Sequence, residues 1–306
     1  MRRSILVLVV IGLVACGGGG GGGMAIDAPP KDVGFNKPMA SLKSNMDNTV
    51  NGMDVWSEIG PADLSCLGTP STDMPTTVAV TLNTKVTDFQ TGKAVPSATV
   101  TAFPGINSTA PFDTQTSNAT DGTVTITVPV GQKRIGFKMT ASGQIDTLLL
   151  FQYLDPSTPT QTSPDKIQSV SNGTAATLPA LIGETRTPGS GVVAGALRDC
   201  QNHEMSNFVA TMSSVSGSVM PIENADAYYF AASAGLPVHH TQQESASGDG
   251  LFMVIQLPVT ASAFVQMWGY VTDADMAADK LTLISELEVP VLADTVITGS
   301  FEPLRQ

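Results

Sequence analysis

Short runs of alternating apolar and polar residues, repeated in the same order along a chain, point to layered β structure. Here Val78 to Val86 alternates, and Asp88 to Lys93 reads as a turn. Ala98 to Phe103 alternates again, and Thr114 to Thr116 leads to Asp121-Gly122. Thr123-Val124-Thr125-Ile126-Thr127-Val128 follows and ends at Pro129-Val130-Gly131, and Arg134 to Thr140 reads as a further strand. The order returns later, through Gly191 to Cys200, Phe208 to Met212, Ala227 to Ala231 and a turn at Gly235-Leu236-Pro237. Asp249-Gly250 then precedes Leu251 to Leu257, which ends at Pro258, and Phe264 to Val271 closes the series. Asp-Gly before an alternating run is a hairpin signal, because glycine takes positive φ without steric cost.

The tails also match loosely, Leu178 to Gly183 against Ala293 to Gly299. The expected fold class is therefore all-β, with two tandem Ig/transthyretin-like β-sandwiches. The expected divisions are a signal peptide at 1–15, a flexible linker at 16–77, a first sandwich at 78–185 and a second at 190–306. The repeat resembles the carboxypeptidase regulatory-like domains, which have a transthyretin-like (prealbumin-like) sandwich. The residues that carry the resemblance are Val86 to Val100, Thr120 to Thr123 and Val128 to Gly131. The second copy keeps Gly195, Asp199, Asp249 to Phe252 and Pro258, and lacks the glycine after that proline. Turn chemistry of this kind implies a fold; it does not make a site.

Met1-Arg2-Arg3 is a short basic stretch, followed by an apolar run from Ser4 to Val14. A membrane-spanning helix needs about twenty such residues, so this run reads as a signal segment. Leu13-Val14-Ala15-Cys16 resembles the lipobox of bacterial lipoproteins. That resemblance implies lipidation (diacylglycerol and palmitate-type acyl chains) at Cys16, with cleavage just before it. It also implies a lipid-anchored protein of the bacterial cell envelope, and Gly17 in place of aspartate directs it to the outer membrane. Several acyl chains hold a protein to a bilayer far better than one. The glycines Gly17 to Gly23 and Pro29-Pro30 open a segment without period, read as a tether. Val55-Trp56 and Leu64 to Leu67 are its apolar exceptions and are expected to dock on a folded part.

With Cys16 lipidated, Cys66 and Cys200 are left as an even pair, and an exported chain is expected to join them as a disulfide.

Chemistry finds little support. Net charge is −12, and Gln201 to Gln306 holds twelve acids against Lys280 and Arg305. Nucleic acid is thereby excluded as a partner. No nucleophile elbow, zinc-protease helix or phosphate loop occurs in the sequence. Three histidines are present, His203, His239 and His240. His239 and His240, with the carboxylates Asp273, Asp275 and Asp279, are the metal-ligand candidates, although loop histidines and helix-turn acids are more often simply solvated. Trp268 and Tyr270 lie two apart and would share a strand face, a candidate sugar-stacking platform whose bland alternative is core packing. No cofactor is implied. The sequence points to a non-enzymatic structural or interaction module, with an envelope protein or glycan as partner. Carbohydrate or peptidoglycan binding is the alternative, and a metal-dependent hydrolase is a third reading.

Overall fold

The computed structural model describes residues 36–48, 55–162, 164, 166–181, 186–231 and 236–306. The signal segment, Cys16 and the glycine run lie outside the described residues, as do Gly183 and Gly235.

In chain order, the segment before the repeat carries β1 (Lys43–Asp47) and β2 (Trp56–Pro61). The first copy carries β3 (Val80–Asp88), β4 (Thr99–Pro104), β5 (Asp113–Thr116), β6 (Thr123–Val128), β7 (Arg134–Thr140) and β8 (Gln144–Tyr153). It continues with β9 (Thr160–Gln161), β10 (Ile167–Ser171) and α1 (Asn172–Leu181). The second copy carries β11 (Gly191–Ala196), β12 (Glu204–Ser206), β13 (Val209–Ser213), β14 (Asp226–Phe230) and β15 (Pro237–His239). It ends with β16 (Leu251–Leu257), β17 (Thr260–Gly269), α2 (Asp273–Ala277), β18 (Thr282–Val291) and β19 (Thr295–Gly299).

The repeat is visible as a set of pairings. β3 pairs antiparallel with β6, as β11 does with β16. β4 pairs with β7 as β13 does with β17, and β7 with β8 as β17 does with β18, all antiparallel. β10 runs parallel to β3, and β19 runs parallel to β11. Each copy thus faces one group of strands against another, with the alternating apolar residues between them. In the first copy Val80, Leu82, Ile126 and Val128 meet Val100, Phe137 and Met139. In the second, Val193, Phe252, Val254 and Ile297 meet Phe208, Met212, Val265 and Met267. The tail match fails at its first member. Leu178 to Leu181 belongs to α1, and the strand equivalent to β19 is β10.

The two Asp-Gly turns do the same work in each copy. Gly122 (φ +72°) and Gly250 (φ +64°) are both left-handed. Their carbonyls accept from Val86 N–H (2.9 Å) and Leu197 N–H (3.2 Å), which seats each turn on the first strand of its copy. Asp121 and Asp249 each accept the amide two residues on, at 3.0 Å. A Cβ on Gly122 would stand 2.6 Å from the Val86 carbonyl oxygen, so only glycine fits. Gly122→Ala is expected to cost about 2 kcal/mol, from the left-handed backbone and that clash together. Urea denaturation checks it; a variant as stable as the parent would contradict this turn.

The two copies share one sheet. β8 runs parallel to β19 over five pairs, from Thr295↔Asp146 to Gly299↔Leu150. The order β15-β14-β16-β11-β19-β8-β10-β3-β6 therefore crosses from one copy to the other without a break. β8 is paired on both edges and carries a continuous apolar run, Leu148 to Phe151, as strands covered on both faces do.

Within the segment expected as a tether, up to residue 77, described residues from Asn36 onward form β1 and β2 and pack on the second copy. β1 lies between β12 and β2 in a small sheet, and Leu42 is fully buried. Leu42 sits where a Cβ on Gly269 would be, 2.6 Å from that position. Leu64 and Leu67 pack against the second core and Cys66 is buried, while Val55 is exposed and Trp56 half-buried. Polar strands such as Lys43–Asp47 have no period of their own to signal them. Lys43–Asp47 pairs with β2 and with β12, the latter about 160 residues away in sequence.

Candidate functional site

The hairpin of β14 and β15 pairs Tyr228 with His239. β15 ends at His239, so His240 is released from strand geometry and its ring can swing to the same side as its neighbour. Both imidazoles then meet Asp226 at the start of β14. His239 Nε2 lies 2.8 Å from Asp226 Oδ1, and His240 Nε2 lies 3.8 Å from the same oxygen. Tyr228 donates its hydroxyl to Asp226 Oδ2 (2.7 Å), and His239 Nδ1 is 2.6 Å from Thr241 Oγ1. The two rings are 4.4 Å apart, and His240 is 6% exposed. Asn36 holds the turn from outside, donating to the His240 carbonyl at 2.7 Å.

The carboxylates expected beside these histidines are engaged elsewhere. Asp275 forms a capping box with Thr272 at the start of α2, and the Thr272 hydroxyl, then Lys280, hold its carboxyl below the usual range. Asp273 accepts from Ser41 Oγ (2.6 Å). Asp279 pairs with Lys37 and accepts from Tyr270, and both keep its carboxyl acidic. Helix-end chemistry and the docked N-terminal segment account for all three. His203 also stands apart, with Nδ1 3.3 Å from Asp199 Oδ2. Burial pushes the Asp199 carboxyl up, but donation by Ser44, His203 and Gln201 outweighs it and leaves the group more acidic than usual. Asp199 thereby ties β1 to the loop that carries Cys200.

Trp268 and Tyr270 do not form one platform. β17 ends at Gly269, so the two-residue period does not extend to Tyr270. Tyr270 is 3% exposed and its hydroxyl donates to Asp279 at 2.7 Å. Trp268 is half-buried, with its indole N–H on Gln266 Oε1 at 3.2 Å. Cys66 and Cys200 are bonded, with Cα atoms 5.8 Å apart.

A cavity of about 610 Å³ lies along the seam of the two copies. Its floor is the outer face of the shared sheet, with Val192, Met253, Ile255 and Val296. Every arginine after Arg3 lines it: Arg134, Arg186, Arg198 and Arg305. Three are committed to carboxylates. Arg134 holds Asp73 (3.1 Å from Nη2) and Glu302 (2.7 Å), and lies over the Phe151 and Tyr153 rings. Arg186 holds Asp294 at 2.7 Å and Arg198 holds Glu204 at 3.1 Å. Arg305 reaches Thr69 Oγ1 at 3.3 Å. These guanidiniums stitch separate segments together around an apolar hollow, which is a structural task. Nothing in the sequence singles them out, because their spacing along the chain has no pattern.

No protein-family model matches the chain, and no curated protein matches it. Among solved structures it is similar to the shaft pilin SpaA from Lactobacillus rhamnosus GG, at 11% identity over 76% of this chain and 98% of the pilin, with a TM-score of 0.21. It is also similar to the Bacillus anthracis TIE protein, at 10% identity over 73% of this chain and 33% of that one, with a TM-score of 0.22. Scores this low leave the functional argument to the chain's own residues. Among the described residues no helix is long and apolar enough to cross a membrane.

Proposed function

We propose that the chain is a lipid-anchored module of a bacterial cell envelope, a structural or interaction protein that works by holding surfaces in place. One observation carries the reading: three parts of the chain are locked into one body. β8 and β19 join the copies through a parallel ladder, and Cys66–Cys200 ties the N-terminal segment to the second copy. A structural module has to transmit position from its anchor to its far surface. A continuous sheet with a covalent tie near its entry meets that need. A disulfide suits an oxidising, exported location. The anchor in this reading is Cys16, and the outer membrane is its site.

Cys16→Ser tests the anchor. In a Gram-negative host the parent chain is expected in the membrane fraction and the variant in the soluble fraction. Equal membrane association would defeat the anchoring reading. Crosslinking on intact cells tests the interaction: a discrete adduct of the parent that is missing from the released variant supports it, and no adduct from the anchored chain counts against it.

A further inference from the structure

We propose that Asp226, His239 and His240 form a binding site for one divalent transition-metal ion of the zinc or copper class. The inference stands apart from the anchoring reading, since its residues lie in the second copy and its test does not involve Cys16.

The donor set is two imidazole nitrogens and one carboxylate oxygen, a combination that suits zinc and copper and not the all-oxygen preference of calcium or magnesium. One ligand atom from each of Asp226, His239 and His240 lies within 4.8 Å of the other two. Around a tetrahedral ion with bonds of about 2.0–2.1 Å, ligand atoms stand roughly 3.4 Å apart. The two observed separations, 2.8 and 3.8 Å, bracket that value. An ordinary histidine–aspartate pair would explain the shorter contact alone. The longer one exceeds hydrogen-bond range. The largely buried His240 ring brings Nε2 to 3.8 Å from the oxygen its neighbour uses. One carboxylate oxygen facing two imidazole nitrogens is the arrangement an ion would bridge.

The outer partners favour the same state. The Tyr228 hydroxyl occupies Asp226 Oδ2 and leaves Oδ1 to face the histidines. Thr241 meets His239 Nδ1 through both its hydroxyl oxygen, at 2.6 Å, and its backbone N–H, at 3.3 Å, and so fixes the ring. Partners of this kind orient metal ligands in known sites. Binding replaces the His239–Asp226 hydrogen bond with two metal–ligand bonds, and any proton on an Nε2 leaves to solvent. Three protein ligands leave the fourth position of a tetrahedral ion for water.

The test uses the full chain in detergent, without an affinity tag and stripped of metal by a chelator. Calorimetric titration with Zn²⁺, and with Cu²⁺ in parallel, is expected to give one ion per chain. His239→Ala and His240→Ala are each expected to weaken binding by tenfold or more, and Tyr228→Phe by about tenfold as loss of an outer partner. His203→Ala should bind as the parent does. Thermal unfolding with and without Zn²⁺ separates lost ligation from lost folding: the ion should raise the midpoint of the parent and not that of a folded histidine variant. The conservative Asp226→Asn should likewise lose the shift. Absence of a stoichiometric ion, or equal binding by parent and folded His239→Ala, would overturn the proposal and leave the cluster as a hydrogen-bonded hairpin clamp.

Discussion

Replacing Cys66 and Cys200 together by serine is expected to lower the unfolding free energy by about 5 kcal/mol in the chain-entropy account of disulfides. The bond closes a loop of 134 residues that contains the whole first copy, so its removal releases a large part of the unfolded chain. The native side changes less, because Asp199, beside Cys200, still holds Ser44 and the amides of Gln201 and His203. Leu42 also remains beneath β17 in the second core. The double serine variant avoids a stray thiol. Urea denaturation of parent and variant measures the difference, and a loss below about 1 kcal/mol would show that the bond does not constrain the unfolded chain as this account requires. Reduction of the parent should reproduce the variant's midpoint.

Phe252→Ala is expected to cost about 3–5 kcal/mol, the range for a large aromatic removed from a core that cannot collapse. Phe252 is fully buried in β16 and its ring meets Phe208 at 6.1 Å and Phe301 at 5.2 Å, both edge-on. Phe208 in turn meets Tyr229 at 6.5 Å, and the Tyr229 oxygen accepts the Ala210 amide at 3.0 Å. Burial holds that phenol well above its ordinary pKa, so it stays neutral in its bond. The chain of rings links the sheet of β16 to that of β13. Collapse is opposed from the far side, since Gly195 is already in close contact with Phe301. Val130→Ala, at a side chain 58% exposed, should fall within about 0.5 kcal/mol of the parent. Equal costs for the two variants in urea or thermal unfolding would show that this aromatic cluster does not anchor the second core.

Much of the β architecture is legible in the order of residues alone, and the reason is local. β6, β7 and β16 run over the same residues that periodicity marks, because each is an apolar or alternating run bounded by a turn. The Asp-Gly turns are equally local: a left-handed position needs glycine whatever surrounds it. β8 escapes such a reading, since a strand covered on both faces loses the two-residue period that marks a strand. β1 reads as tether, because its residues carry no period, and two of its partners, β12 and the Gly269 that Leu42 packs on, are far from it in sequence.

The candidate site divides along the same line. His239 and His240 are conspicuous as neighbours, but their carboxylate is Asp226, brought in by hairpin register from thirteen residues away. The acids that crowd the sequence, Asp273, Asp275 and Asp279, are taken by a helix cap, by Ser41, by Lys37 and by Tyr270. The four arginines of the seam have no sequence signature at all. By itself, then, the sequence determined the all-β class, the Asp-Gly turns and the repeated order of strands, since periodicity and glycine conformation act within a few residues; the turn read at Gly235-Leu236-Pro237 instead has Pro237 opening β15. Only the tertiary structure decided that the copies share one sheet, that β1 inserts between β12 and β2, and that Asp226 faces two histidines. Those are pairings between distant residues, and they arise from which faces and edges remain to be covered once the local elements have formed.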